Sequence, residues 1–118
     1  MNVEELRDYC LHLKGTTEDF PFDEVTIVMK VQGKMFALIP LDAEALSIAL
    51  KCDPDRAVAL REQYESVRPG YHLNKKHWNT VYLGNDLPRS VLFEMIDESY
   101  NLVVSGLPRK LREQLGKS

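Results

Sequence analysis

No run in this 118-residue chain is long and apolar enough to span a membrane as a helix. Its hydrophobic runs fall well short of the roughly 18 residues a span requires. The opening Met1-Asn2-Val3-Glu4-Glu5 also lacks the basic and apolar segments of a secretion signal, so the expected compartment is the cytoplasm. Cysteine is scarce: Cys10 and Cys52 lie on different expected elements, form no CxxC, and read as small buried hydrophobes rather than a disulfide or metal pair. The chain contains no GxSxG, no phosphate-binding P-loop and no dinucleotide GxGxxG. His72 and His77, five residues apart, would lie on opposite faces of a strand and about 140° apart on a helix, a poor metal pair in either case. The expectation is therefore a non-enzyme with no metal site and no cofactor. Positive charge is also in deficit, with a net charge of −3 and a pI near 5.6. Any contact with a polyanion must then come from a local patch of cations rather than from the overall field.

What is present is concentrated in Val67–Leu83, VRPGYHLNKKHWNTVYL. It holds the only tryptophan, Trp78, two of the three histidines, adjacent Lys75 and Lys76, and Arg68 before a Pro-Gly pair. Pro69-Gly70 reads as a turn. Beyond it the chain is expected to run extended, with His72, Asn74, Lys76 and Trp78 on one face, finishing in the β-branched and aromatic Thr80-Val81-Tyr82-Leu83.

With 44% hydrophobic residues, positions 1–118 can bury one core and are read as a single domain. Asn2 and Glu5 suggest a capping box for a first helix running to Lys14, with Val3, Leu6, Cys10 and Leu13 on its apolar side and Gly15 as its stop. The other side and the following segment carry Glu4, Glu5, Asp8, Glu18, Asp19, Asp23 and Glu24, an acidic solvated face. Phe20-Pro21-Phe22 reads as a hydrophobic plug over the core. Thr26–Gln32 and Lys34–Ile39 form a hairpin turning at Gln32-Gly33, flanked by Lys30 and Lys34. Leu46–Cys52 is a third strand, and Asp53-Pro54-Asp55 starts a helix to about Glu65. The longest helix spans about Pro88 to Ser105 and stops at Gly106. Residues 107–118 form a short amphipathic helix or tail. The predicted fold is α+β, with N- and C-terminal helices packed on one face of an antiparallel sheet of about five strands.

The block His72-Leu73-Asn74-Lys75-Lys76-His77-Trp78 resembles the signature of the MmcQ/YjbR-like family of small bacterial proteins. Around it, Arg68-Pro69 and Thr80-Val81-Tyr82-Leu83 fit the same pattern. Phe20-Pro21-Phe22, Lys34-Met35-Phe36-Ala37, Leu50-Lys51-Cys52-Asp53-Pro54 and Glu98-Ser99-Tyr100 extend the likeness over nearly the whole chain. The resemblance implies a CyaY-like fold and a double-wing DNA-binding role.

Three readings follow. The first is weak, salt-dependent and largely sequence-independent DNA binding by a monomer, through Lys30, Lys34, Lys51, Arg68, Lys75, Lys76 and His77, with Trp78 or Tyr71 offering an aromatic face. The second follows from the likeness of CyaY-like folds to frataxins: weak iron binding by the acidic ridge of Glu4, Glu5, Asp8, Asp19, Asp23 and Glu24. The third is an adaptor whose partner is a protein rather than nucleic acid.

Overall fold

The computed structural model describes residues 2–70, 73–84 and 86–117. Tyr71 and His72 lie outside them, and so do the expectations placed on those two side chains. The first helix, α1 (Val3–His12), starts where the Asn2 side chain accepts the Glu5 backbone N–H at 2.9 Å, and buries Leu6 and Cys10. It ends two residues before the expected Lys14, because Leu13 is already extended and Gly15 (φ +74°) turns the chain into a strand.

That strand, β1 (Thr16–Asp19), has no counterpart in the sequence reading and brings the sheet to six strands rather than about five. Thr-Thr-Glu-Asp has no apolar alternation to mark it. It is a strand because it pairs antiparallel with β2 (Thr26–Val31), and because Arg7–Glu18 (2.6 Å) and Lys30–Asp19 (3.1 Å) ion pairs anchor its acids. β2 and β3 (Lys34–Pro40) form the expected hairpin, with Gln32 (φ 49°) and Gly33 (φ 78°) both left-handed as a type I′ turn demands. The sheet continues through β4 (Ser47–Lys51), β5 (Val67–Pro69) and β6 (Trp78–Tyr82), in the order β1-β2-β3-β4-β6-β5 with every pairing antiparallel.

Side chains alternate across this sheet. Ile27, Met29, Ala37, Ile39, Ile48, Leu50 and Val81 face α1, α2 (Pro54–Gln63) and α3 (Arg89–Ser105), and share one core with Leu6, Cys10, Ala57, Leu60, Leu92, Met95 and Ile96. α1 and α3 lock together where Tyr9 stacks on Phe93, ring centroids 4.2 Å apart. The opposite face carries the register row Val28–Leu38–Ala49–Thr80–Arg68. The last helix is α4 (Arg109–Lys117), whose buried Leu115 lies against Gly15.

Two local expectations are corrected. Phe20 and Phe22 are no plug: they are 44% and 65% exposed. The helices already close the core, and the loop from β1 to β2 swings outside it. The second correction concerns the approach to Trp78, which is a turn rather than a strand. The Asn74 carbonyl accepts from the N–H groups of His77 (3.1 Å) and Trp78 (2.9 Å), and its side chain accepts from the Lys76 N–H (2.9 Å). A polar Asn-Lys-Lys-His run gains nothing from a half-buried sheet, so local side-chain bonding wins. Lys76 and Trp78 therefore do not share a strand face.

Candidate nucleic-acid interface

The predicted cations do not all gather. Lys30 is paired with Asp19 at the β1 edge, which holds the Asp19 carboxyl below its ordinary value. Arg68, on edge strand β5, is diagonal to Trp78 across the β5–β6 register, but its Nε donates to the Glu65 carbonyl at 2.9 Å. The other residues converge on one end of the sheet. Lys51 is the register partner of Trp78, and the Cys52 N–H donates to the His77 carbonyl at 2.7 Å, tying the Lys75-Lys76-His77 turn to the end of β4. Arg61, which the sequence reading passed over, supports that turn through its Nη2, 3.2 Å from the Lys75 carbonyl. Its position in the last turn of α2 marks it only as a helix-end cation.

At this end of the sheet lies a cleft of about 390 Å³. Lys34, Met35, Lys51 and Trp78 supply its strand side, and Leu102, Val103, Gly106 and Leu107, where α3 gives way to α4, supply the other. Among the described residues neither the Lys34 nor the Lys51 ammonium has an ion-pair or hydrogen-bond partner. Trp78 is 7% exposed. Its indole N–H meets no acceptor among the described residues, contrary to the usual habit of buried tryptophans. Neither is that N–H among their fully enclosed orphan atoms, so this polar edge is not sealed from solvent. Alternation along β3 would group Met35 with Ala37 and Ile39 on the core side, and only the register shift between Met29 and Lys30 breaks that pattern. Leu102 carried no outward signal either, because it lies on the stripe of α3 that reads as core.

Buried Ser99 fixes the strand side of the cleft. Its hydroxyl donates to the Phe36 carbonyl (2.6 Å) and accepts from the Lys51 N–H (2.9 Å), strapping β3 and β4 to α3.

Other recesses are less open to an anion. The larger cleft beside α2, about 520 Å³, has its charges paired internally, Arg56 with Glu98 at 3.3 Å and with Glu94 at 3.9 Å. Three acids of the ridge are also committed. Glu5 pairs with Arg89, Asp19 with Lys30, and Asp23 accepts from the Val25 N–H (2.9 Å) and the Thr26 hydroxyl (3.3 Å). Among the described residues no three acids, cysteines or histidines converge as a metal site. Burial pushes the Cys10 thiol up to about 12 and Cys52 to about 11, so both are protonated thiols at neutral pH.

A family model described as YjbR matches residues 11–102. The uncharacterized protein YjbR of Escherichia coli K12 is 36% identical over 115 residues, 98% of each chain. The uncharacterized protein YbdF of Escherichia coli O157:H7 is 40% identical over 107 residues, 91% of this chain and 88% of that relative. The crystal structure of the Deinococcus radiodurans protein DR2400 superposes with a TM-score of 0.91 at 41% identity, covering 98% of this chain and 88% of the other. A Pseudomonas syringae protein superposes with a TM-score of 0.75 at 28% identity, over 86% and 98%.

Proposed function

The chain belongs to the YjbR family, and on that premise we propose that it binds DNA weakly and with little sequence preference through the sheet end around Lys34, Lys51 and Trp78. One observation carries this reading. Two lysines from neighbouring strands line one cleft with no carboxylate on either among the described residues, in a chain whose net charge is −3. Several other cations are matched to acids: Arg7 to Glu18, Lys30 to Asp19, Arg56 to Glu98, Arg89 to Glu5 and Arg109 to Glu113. An ammonium left unmatched beside an aromatic ring is suited to a phosphate. Lys76 on the adjoining turn adds a further positive charge, and no catalytic step is part of the reading.

Three to four phosphate contacts give log K against log salt a slope of about −3 to −4 on duplex DNA, with micromolar or weaker affinity at physiological salt. The test is a salt-titrated binding curve on the wild type and on Lys34→Glu/Lys51→Glu. Charge reversal abolishes binding, while Lys30→Glu, already neutralised by Asp19, changes it little. Absence of salt-dependent binding by the wild type at about 50 mM salt overturns the proposal.

A protein-docking reading has its own support in the exposed Phe20, Phe22, Val25 and Leu41 at the mouth of the β1–β2 loop. Such a cluster is unusual on a solvated surface.

A further inference from the structure

We infer that the cleft receives one unpaired nucleotide, so that the protein prefers a single strand to a duplex. This rests on the proposed DNA binding and specifies what enters the site. A duplex presents phosphates on a convex surface with its bases stacked inside. It would use Lys34 and Lys51 at the rim and leave the recess behind them empty. The recess is not shaped for phosphate alone. Its far wall is aliphatic, from Leu102, Val103 and Leu107, and its strand side adds the Met35 thioether and the Trp78 indole. Cations stand on one side and apolar surface on the other, the arrangement that matches a nucleotide, with phosphate toward the lysines and base against the aliphatic wall. The indole N–H, not fully enclosed and without an acceptor among the described residues, supplies a donor that a base carbonyl can satisfy.

Size agrees: about 390 Å³ lies within the range of small-ligand sites, about 300 to 1,000 Å³. The overall charge points the same way. A chain at −3 is repelled by the dense phosphates of a duplex more than by the sparser charge of a single strand.

Trp78 is the only tryptophan, so its fluorescence reports on this cleft alone. The full chain is titrated with a short oligothymidylate, a duplex of equal length, thymidine monophosphate and inorganic phosphate. The oligothymidylate is expected to shift Trp78 emission and to bind about tenfold tighter than the duplex. Thymidine monophosphate should compete with it, more weakly. Leu102→Ala, its fold checked by thermal melting, lowers affinity for the single strand several-fold and leaves the duplex unaffected, whereas Lys51→Gln weakens both.

Equal or tighter duplex binding without an emission change overturns the inference and leaves DNA binding standing. If inorganic phosphate shifts the emission as strongly as the oligothymidylate, the cleft is an anion site with no place for a base, and the inference fails. No binding of either nucleic acid overturns both proposals.

Discussion

Replacing Ser99 with alanine removes one oxygen and orphans two backbone groups. Ser99 is fully buried, donating to the Phe36 carbonyl at 2.6 Å and accepting the Lys51 N–H at 2.9 Å. The space vacated by a single hydroxyl is too small for a replacement water. Each buried group left without a partner costs about 1–3 kcal/mol, the carbonyl toward the lower end because under-satisfied carbonyls are better tolerated. Ser99→Ala should then cost about 2–4 kcal/mol. At about 3–5 °C per kcal/mol for a chain of this length, the melting temperature falls by about 6–20 °C. Urea denaturation followed by circular dichroism measures the first quantity and thermal melting the second. Ser99→Cys, with a weak donor and acceptor of similar shape, should fall between wild type and Ser99→Ala. Since the same hydroxyl fixes the end of β4 that carries Lys51, the nucleic-acid affinity proposed above should drop with it. A loss below about 0.5 kcal/mol would refute the strap as a stabilising element, because two orphaned groups cannot be that cheap.

Other perturbations test separate parts of the structure. Gly15→Ala should destabilise by about 1–2 kcal/mol from its left-handed backbone alone, and by more because the new Cβ meets Leu115; hydrogen exchange in α4 should rise if Leu115 is pushed out. Trp78→Ala should cost about 3–5 kcal/mol by the scale of buried aromatics, whereas Trp78→Phe should keep most stability. An unchanged unfolding midpoint in Trp78→Ala would contradict the burial. The Asp86 carboxyl is held below its ordinary 3.8 by the Ser66 hydroxyl and by the Glu65 and Ser66 N–H groups, and Glu18 below its ordinary 4.5 by Arg7. A depressed folded value stabilises above the ordinary value and is lost as pH falls through the lower one. Stability measured by urea from neutral pH downward should therefore hold until roughly pH 4–5 and then decline, and Asp86→Asn should flatten part of that decline. Phe20→Ser/Phe22→Ser should leave the melting temperature within about 1 °C, since exposed side chains contribute little to the core; a large loss would mean that the loop packs on the core after all.

What the sequence determined by itself was whatever depends on near neighbours in the chain. The Asn2 cap, the Gln32-Gly33 hairpin turn, the Asp53-Pro54 helix start and the Gly106 helix stop each follow from one residue's backbone preference or a hydrogen bond a few positions away. The helical stripe of α3 follows from periodicity and the strands at β2 to β4 from β-rich composition beside a turn, and together these elements specified the α+β class. The Asn74 turn was also local, but strand-forming neighbours on either side concealed it.

Only the tertiary structure decided the rest, because those contacts are made between residues far apart in the chain. β1 is a strand through pairing and ion pairs, with no pattern of its own. Lys30 looked equivalent to Lys34, yet one meets Asp19 across the sheet edge and the other opens on a cleft. The cleft joins strand residues 34–35, 51 and 78 to helix-end residues 102–107. No spacing rule connects such positions. The apolar stripe that marks Leu102 as core is the same whether its neighbours close over it or leave one edge open, and that depends on where α3 ends relative to β3 and β4.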